Sequence, residues 1–341
     1  MSVIDRTADG GRGGAAPSVV VLGATGFVGR HLCAAFAGAG WTVTGVARTH
    51  PPVPPPCRTV TLDLVRAAPE RIARLLAGHG ARVVVNAAGA VWGVSAEEMA
   101  LANDGLVRRL VTAVASLPRP PRLVQLGSVH EYGPGPRRGI TEDTPTAPVT
   151  PYGRSKLAGG LALLDAAAAG AVDGLVLRVS NVSGPGTPPA SLLGTVARHL
   201  AEEPPGPLRL APLLAHRDFV DVRDVADAVL AAAGSTATGR VVNIGGGRAV
   251  PVRALVTRLT ELAGRGAEIT EVPSPGGRPP EAEWQRMDIA LAGRLLGWRP
   301  RRGLDDSLRD LLAEARAAVR CDPLSSAVQV GAASMSPSGT V

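Results

Sequence analysis

Lys156 is the only lysine in the chain: of the 36 lysine and arginine residues, all the others are arginines. Tyr132 and Tyr152 are the only tyrosines, and Lys156 stands four positions after the second of them. On a helix that spacing puts the two side chains on one face, one turn apart. A phenol titrates near about 10, too high to exchange protons readily at neutral pH. A neighbouring ammonium lowers that value, at about 1.36 kcal/mol per unit. Tyr152-Gly-Arg-Ser-Lys156 therefore reads as an acid/base pair rather than a surface pairing, because a chain that uses arginine everywhere else keeps its one primary amine here.

A second constellation lies near the N-terminus. Gly23, Gly26 and Gly29 recur at intervals of three around Ala24, Thr25, Phe27 and Val28. The valine-rich run 18–22 precedes them and an apolar-periodic stretch, 30–38, follows. A strand, a glycine turn and a helix N-terminus form a cradle for a pyrophosphate: the glycines allow a tight turn and close approach, and the helix end faces the negative charge. The spacing differs from the Gly-x-Gly-x-x-Gly of ordinary Rossmann dehydrogenases. Beyond the second strand an acid would hold a ribose 2′-hydroxyl, whereas a guanidinium would take a 2′-phosphate. No Asp or Glu occurs between Gly40 and Leu62, and Arg48 stands where the acid would be. NADP (NADPH) is expected as the cofactor ahead of NAD.

Positioning these groups requires alternating strands and helices. Strands are expected at 18–22, 41–47, 59–64, 82–88, 122–127 and 175–179, with helices at 30–38, 69–77, 97–116 and 152–169. That alternation predicts an α/β fold, a doubly wound, Rossmann-like parallel sheet, with a smaller C-terminal substrate-binding lobe. Residues 1–17 read as a flexible leader and 18–180 as the dinucleotide-binding domain. Residues 215–245 partly return to that domain, 181–318 form the lobe, and 319–341 are a disordered tail. Within the lobe 181–212 reads as irregular. Helices are expected at 224–233, 252–263 and 289–296, a strand at 241–244 and an extended piece at 268–272.

Composition removes several function classes. The net charge of +7 comes from arginines spread along the chain, with only nine Trp, Tyr and Phe residues beside them. A nucleic-acid partner is therefore not expected, and a codon bias toward Ala, Gly, Pro and Arg accounts for the charge. Cys33, Cys57 and Cys321 are odd in number and far apart, which argues against a disulfide framework and against a paired-cysteine zinc site. The histidines lack metal-ligand spacing, so no metal is expected. No apolar run reaches the roughly 18 residues a membrane span needs. Together these features predict a cytoplasmic protein with no membrane partner.

With these motifs in place, the sequence resembles the extended short-chain dehydrogenase/reductase family, the nucleotide-sugar epimerase/dehydratase group, over roughly 18–312. Further matching segments are Asp63-Leu64, Asn86-Ala87-Ala88-Gly89, Asn103, Gly127 to Gly133, Leu177 to Gly186, Arg217 to Val225, Asn243 to Gly246, and Asp288 with Leu295 to Trp298. The resemblance implies that Tyr152 donates or accepts the proton, that Lys156 holds the nicotinamide ribose and tunes the phenol, and that Ser128 hydrogen-bonds the substrate oxygen. Asp63 and Leu64 would meet adenine, and Ala87, Ala88, Gly89 and Asn103 would complete the cofactor site. Asn181, Arg217 and Arg278 match positions that hold a substrate diphosphate. A homodimer through helices 97–116 and 152–169 is a further implication.

The departures from the family pattern narrow the activity. Dehydratases of the group carry an Asp-Glu pair just after the catalytic Ser or Thr, and here Val129 and His130 occupy those places. Eliminating water therefore lacks its acid and base. His130 falls where a related subgroup has a catalytic cysteine, and reads either as a second acid/base or as a pocket-lining residue. The expected activity is NADPH-dependent reduction of a keto group, at C4, of a nucleoside-diphosphate keto-deoxysugar in natural-product deoxysugar biosynthesis. The alternatives are a nucleotide-sugar 4-epimerase with tightly bound NAD and a non-catalytic NADP-binding sensor; the intact Tyr/Lys pair argues against the sensor.

Overall fold

A computed structural model describes residues 16–49, 57–202, 206–264, 268–272 and 283–321. Arg278, residues 51–56, residues 1–15 of the expected leader and residues 322–341 of the expected tail lie outside the described residues.

The first half alternates strand and helix. β1 (Ser18–Leu22), α1 (Phe27–Gly38), β2 (Thr42–Ala47), β3 (Arg58–Thr61), α2 (Pro69–Gly78) and β4 (Val83–Asn86) come first. Next are α3 (Ala96–Ala100), a five-residue π-helical segment (Leu101–Gly105), α4 (Leu106–Ala115), β5 (Arg122–Ser128), α5 (Pro151–Ala168) and β6 (Gly174–Val179). The valine runs of β1 and β4 are buried on both faces, as strands of a helix-covered parallel sheet must be. The second half adds β7 (Asn181–Ser183), α6 (Leu192–Ala201), β8 (Leu208–Leu210), β9 (His216–Asp221), α7 (Val222–Gly234) and β10 (Val241–Ile244). β11 (Ala249–Pro251), α8 (Val252–Ala263), β12 (Ile269–Glu271), α9 (Ala290–Leu296) and α10 (Leu304–Cys321) complete the described chain.

The main sheet has seven strands in the order β3-β2-β1-β4-β5-β6-β10, all parallel. β10 therefore returns from the second half to pair with β6. One face is covered by α1 and α7, packing Leu32, Phe36, Val225 and Val229; the other by α2, α4 and α5, packing Ile72, Leu76, Leu110 and Leu163. Strand order reverses between β1 and β4, so a crevice opens at the carboxyl ends of these strands. A third core joins α6, α8 and α10 through Leu193, Leu200, Leu255, Leu259, Leu308 and Leu311. Beside it β7, β9 and β11 form a small mixed sheet.

The structure corrects several sequence expectations. The segment expected to be irregular, 181–212, contains α6, started by the Ser191 hydroxyl accepting from the Gly194 N–H and anchored by buried Leu193, Val196 and Leu200. Its flanking prolines and glycines masked that signal. The uniform helix expected at 97–116 widens by one residue per turn at Leu101–Gly105. α10 extends past Val319 to Cys321, because its buried Leu308, Leu311 and Leu312 complete the third core.

Candidate active site

A cavity of about 870 Å³ lies across the carboxyl ends of β1, β4, β5 and β6 and extends to the α6–α8 group. Gly26, Phe27 and Val28 form one end of its wall, and Ala87, Ala88, Gly89 and Asn103 continue it. Ser128, His130, Tyr152 and Lys156 face its middle, and Asn181 and Arg217 its far end. Among the expected site residues, Gly23, Thr25, Gly29, Arg48, Asp63 and Leu64 lie outside this wall.

The glycine turn is forced by backbone crowding. Gly23 has φ +78°, and a Cβ there would stand 2.8 Å from the Ala88 main chain. At Gly29 a Cβ would run into the Gly23 carbonyl oxygen. Gly26 caps α1 without any side-chain hydrogen bond, so the first N–H groups of that helix have no side-chain acceptor from the cap. Arg48 is exposed just beyond β2 and makes no hydrogen bond or ion pair with any described residue. Asp63 instead closes its own turn, accepting from the Val65 N–H at 3.0 Å, and Leu64 is buried with its carbonyl receiving Arg109 at 3.5 Å.

The π-helical segment carries Asn103, whose amide is wholly engaged. Oδ1 accepts from the Ala90 N–H at 2.9 Å, and Nδ2 donates to the Ala90 carbonyl at 2.8 Å and to Ser155 Oγ at 3.0 Å. Asn103 thus ties the loop after β4 to α5. Gly159 allows this closeness, since a Cβ there would strike the Asn103 carbonyl. Sequence reasoning missed this positioning role, which depends on the local widening of the helix.

α5 starts with Pro151 in its first turn, and the Thr150 hydroxyl accepts from the Gly153 N–H at 3.1 Å. It presents Tyr152 and Lys156 to the cavity. Lys156 is a buried residue on the cavity wall, and its ammonium makes no hydrogen bond or ion pair with any described residue. Burial pushes its pKa down, and the Glu131 carboxylate partly restores it. Burial pushes the Tyr152 phenol up to about 12, opposed by a hydrogen bond from Ser128 and reinforced by Glu131. The expectation that the ammonium lowers the phenol is not met in the protein alone: loss of hydration is the larger effect, and Glu131 supplies negative charge.

Glu131, fully buried, organises the floor of the site. It accepts from the Ser128 N–H at 2.7 Å and pairs with Arg178 at 2.7 Å, and Arg178 stacks on the Tyr132 ring at 4.4 Å. Tyr132 gives its hydroxyl proton to Asn243 at 2.8 Å, so this second tyrosine is structural. Ser128 Oγ accepts from the His130 N–H at 3.2 Å and shares a hydrogen bond with the Tyr152 phenol. The His130 ring meets Tyr152 edge-on at 5.8 Å. Burial and the Arg217 guanidinium lower its pKa, against Glu283, so the imidazole is neutral at pH 7. Arg217 pairs with Glu283 at 2.6 Å, and this partner was not evident from sequence. Exposed Trp92 also lines the cavity, on the loop after β4, where the sequence carried no signal for it.

The cradle at α1, the unpaired ammonium and the protonated phenol fit a nicotinamide dinucleotide together with a carbonyl or alcohol substrate, which defines an oxidoreductase. The NAD dependent epimerase/dehydratase family matches residues 19–245, and the chain belongs to it. It is 46% identical over 298 residues to a dTDP-6-deoxy-L-talose 4-dehydrogenase (NAD(P)(+)) of Kitasatospora kifunensis, covering 86% of this chain and 94% of the relative. It is 29% identical over 335 residues to a UDP-glucose 4-epimerase of Azospirillum brasilense, covering 89% and 93%. Among solved structures it is similar to MoeE5 in complex with UDP-glucuronic acid and NAD, with a TM-score of 0.79 and 28% identity over 88% of this chain and 99% of that one. No described helix is long and apolar enough to cross a membrane.

Proposed function

We propose that the chain reduces the C4 ketone of a dTDP-4-keto-6-deoxyhexose with NADPH, in deoxysugar supply for a natural product. The observation carrying this reading is that Ser128, Tyr152 and Lys156 face the middle of one cavity whose wall begins at the glycine turn of α1. A phenol and a hydroxyl placed together there can protonate and polarise one substrate oxygen. The 46% identical relative is named for chemistry at C4 of a dTDP-6-deoxyhexose, and a reductase runs the same step in reverse.

The residues would act as follows. The N–H groups at the start of α1 would receive the pyrophosphate, Arg48 the 2′-phosphate, and Lys156 the ribose hydroxyls beside the nicotinamide. When bound, the nicotinamide supplies the hydride. Ser128 donates its proton in a hydrogen bond to the substrate carbonyl and polarises it. Tyr152 gives its proton to the oxygen as the carbon becomes tetrahedral, yielding the alcohol. Arg217 would hold the diphosphate, and the α6–α8–α10 group would serve as the substrate lobe. Exposed Leu101 and Leu161 would help pair two copies into a dimer of a cytoplasmic enzyme.

The test is consumption of NADPH against NADH with a panel of dTDP-4-keto sugars, with Tyr152→Phe as control. Sugar interconversion without added coenzyme would overturn the reading in favour of an epimerase. Turnover with NADH alone would overturn the role of Arg48.

A further inference from the structure

The first turns of α1 reach across the molecule as well as closing the glycine cradle. Phe27 lines the cavity, and its ring meets His31, one turn further along, edge-on at 6.1 Å. His31 Nε2 lies 2.9 Å from the Pro185 carbonyl oxygen. A main-chain carbonyl can only accept, so Nε2 carries a proton and donates it. Burial lowers the pKa of this imidazole, so the ring is neutral at pH 7 and Nε2–H is its single donor. Arg30 reaches the same oxygen at 3.3 Å and pairs with Glu314 of α10 at 3.2 Å. A Cβ on Gly186 would overlap the Arg30 guanidinium, so that side chain lies directly over the backbone after Pro185. The chain then builds the cavity wall: Pro188 lines it, and Ser191 both lines it and caps α6. The turns within this stretch are local, Thr187 N–H to the Gly184 carbonyl at 3.1 Å and Ser191 N–H to the Pro188 carbonyl at 2.9 Å. Among the described residues, Arg30 and His31 supply its hydrogen bonds to α1.

We infer that His31, with Arg30 beside it, is a positioning residue for the sugar nucleotide: it holds segment 184–188, and through it the α6 wall of the cavity, by way of the Pro185 carbonyl. Neither side chain lines the cavity, so both act without touching the ligand. One helix thereby serves both ligands. Its first N–H groups would receive the coenzyme pyrophosphate, and its second turn sets the wall against which the other ligand lies. Arg30 is the lesser partner, because the Arg30 and Glu314 side chains are 39% and 43% exposed and an ion pair in water contributes little. The inference rests on the nucleotide-sugar reading and names the residues that shape that site from behind.

The experiment is calorimetric titration with dTDP and, separately, with NADP and NAD. Loss of one neutral hydrogen bond predicts that His31→Ala weakens dTDP about five- to tenfold. Coenzyme binding, made at α1 through main-chain N–H groups, stays within about twofold of wild type on the same reasoning. His31→Phe keeps a ring beside Phe27 but has no donor; it gives the same selective loss and covers the case in which His31→Ala does not fold. His31→Gln, whose Nε2 donates at similar reach, binds dTDP within about twofold of wild type, a rescue that a role in packing alone would not give. Arg30→Ala produces a smaller loss in the same direction. Equal weakening of dTDP and coenzyme by His31→Phe, or dTDP binding unchanged in that variant, overturns the assignment alone. Failure of His31→Gln to recover dTDP binding overturns it too, since the ring and not its donor would then matter. Wild-type protein that binds coenzyme but not dTDP overturns the nucleotide-sugar reading as well.

Discussion

Replacing Lys156 with Met should make the protein more stable and nearly inactive. Lys156 is 7% exposed as a residue, lines the cavity, and its ammonium meets no hydrogen-bond or ionic partner among the described residues. A buried donor left unmet costs about 1–3 kcal/mol, and more when charged. Met has similar length and helix propensity, so the packing on α5 is retained while that cost is removed. In the nucleotide-free protein the expected gain is about 1–3 kcal/mol, or several degrees in Tm for a chain of this size. Turnover should fall by at least about a hundredfold.

The pH dependence has a fixed sign. Burial holds the folded pKa of Lys156 below its unfolded value. Below the folded pKa both states carry the proton and the full penalty is present. As pH rises through that value the native state loses its proton first, the unfolded chain holds more protons, and stability climbs until the unfolded lysine also titrates near about 10.4. Wild type should therefore gain on Lys156→Met as pH rises. Urea midpoints at neutral and alkaline pH measure this directly. A variant less stable than wild type at pH 7, or a gap that widens with pH, would refute the idea of an unpaired buried ammonium.

Three other substitutions probe separate parts of the argument. Gly29→Ala drives a methyl group into the Gly23 carbonyl, so backbone must move; lost coenzyme binding by fluorescence titration, with a lowered Tm, is expected. Glu131→Ala strands Arg178 in the core and frees the Ser128 N–H, for a loss of about 3–5 kcal/mol by chemical denaturation; a loss under about 1 kcal/mol would mean water reaches the guanidinium. Arg48→Glu should shift the ratio of kcat/KM for NADPH over NADH by about 10- to 100-fold toward NADH, the worth of one charge-assisted hydrogen bond.

Local chemistry made much of this protein legible in its sequence. The valine runs of β1 and β4 could be only doubly buried strands, and the turn between Gly23 and Gly29 could serve only a close backbone approach. The interval from Tyr152 to Lys156 puts both on one helix face whatever surrounds them. These readings held because period, propensity and main-chain sterics act within a few residues. What a group does once buried depended on distant segments. Glu131 meets Arg178, 47 positions away, and Glu283 meets Arg217, 66 positions away. The direction of the phenol's titration and the commitment of the Asn103 amide follow from such meetings. Only the tertiary structure decides them, because desolvation and hydrogen-bond saturation are set by what the fold brings near.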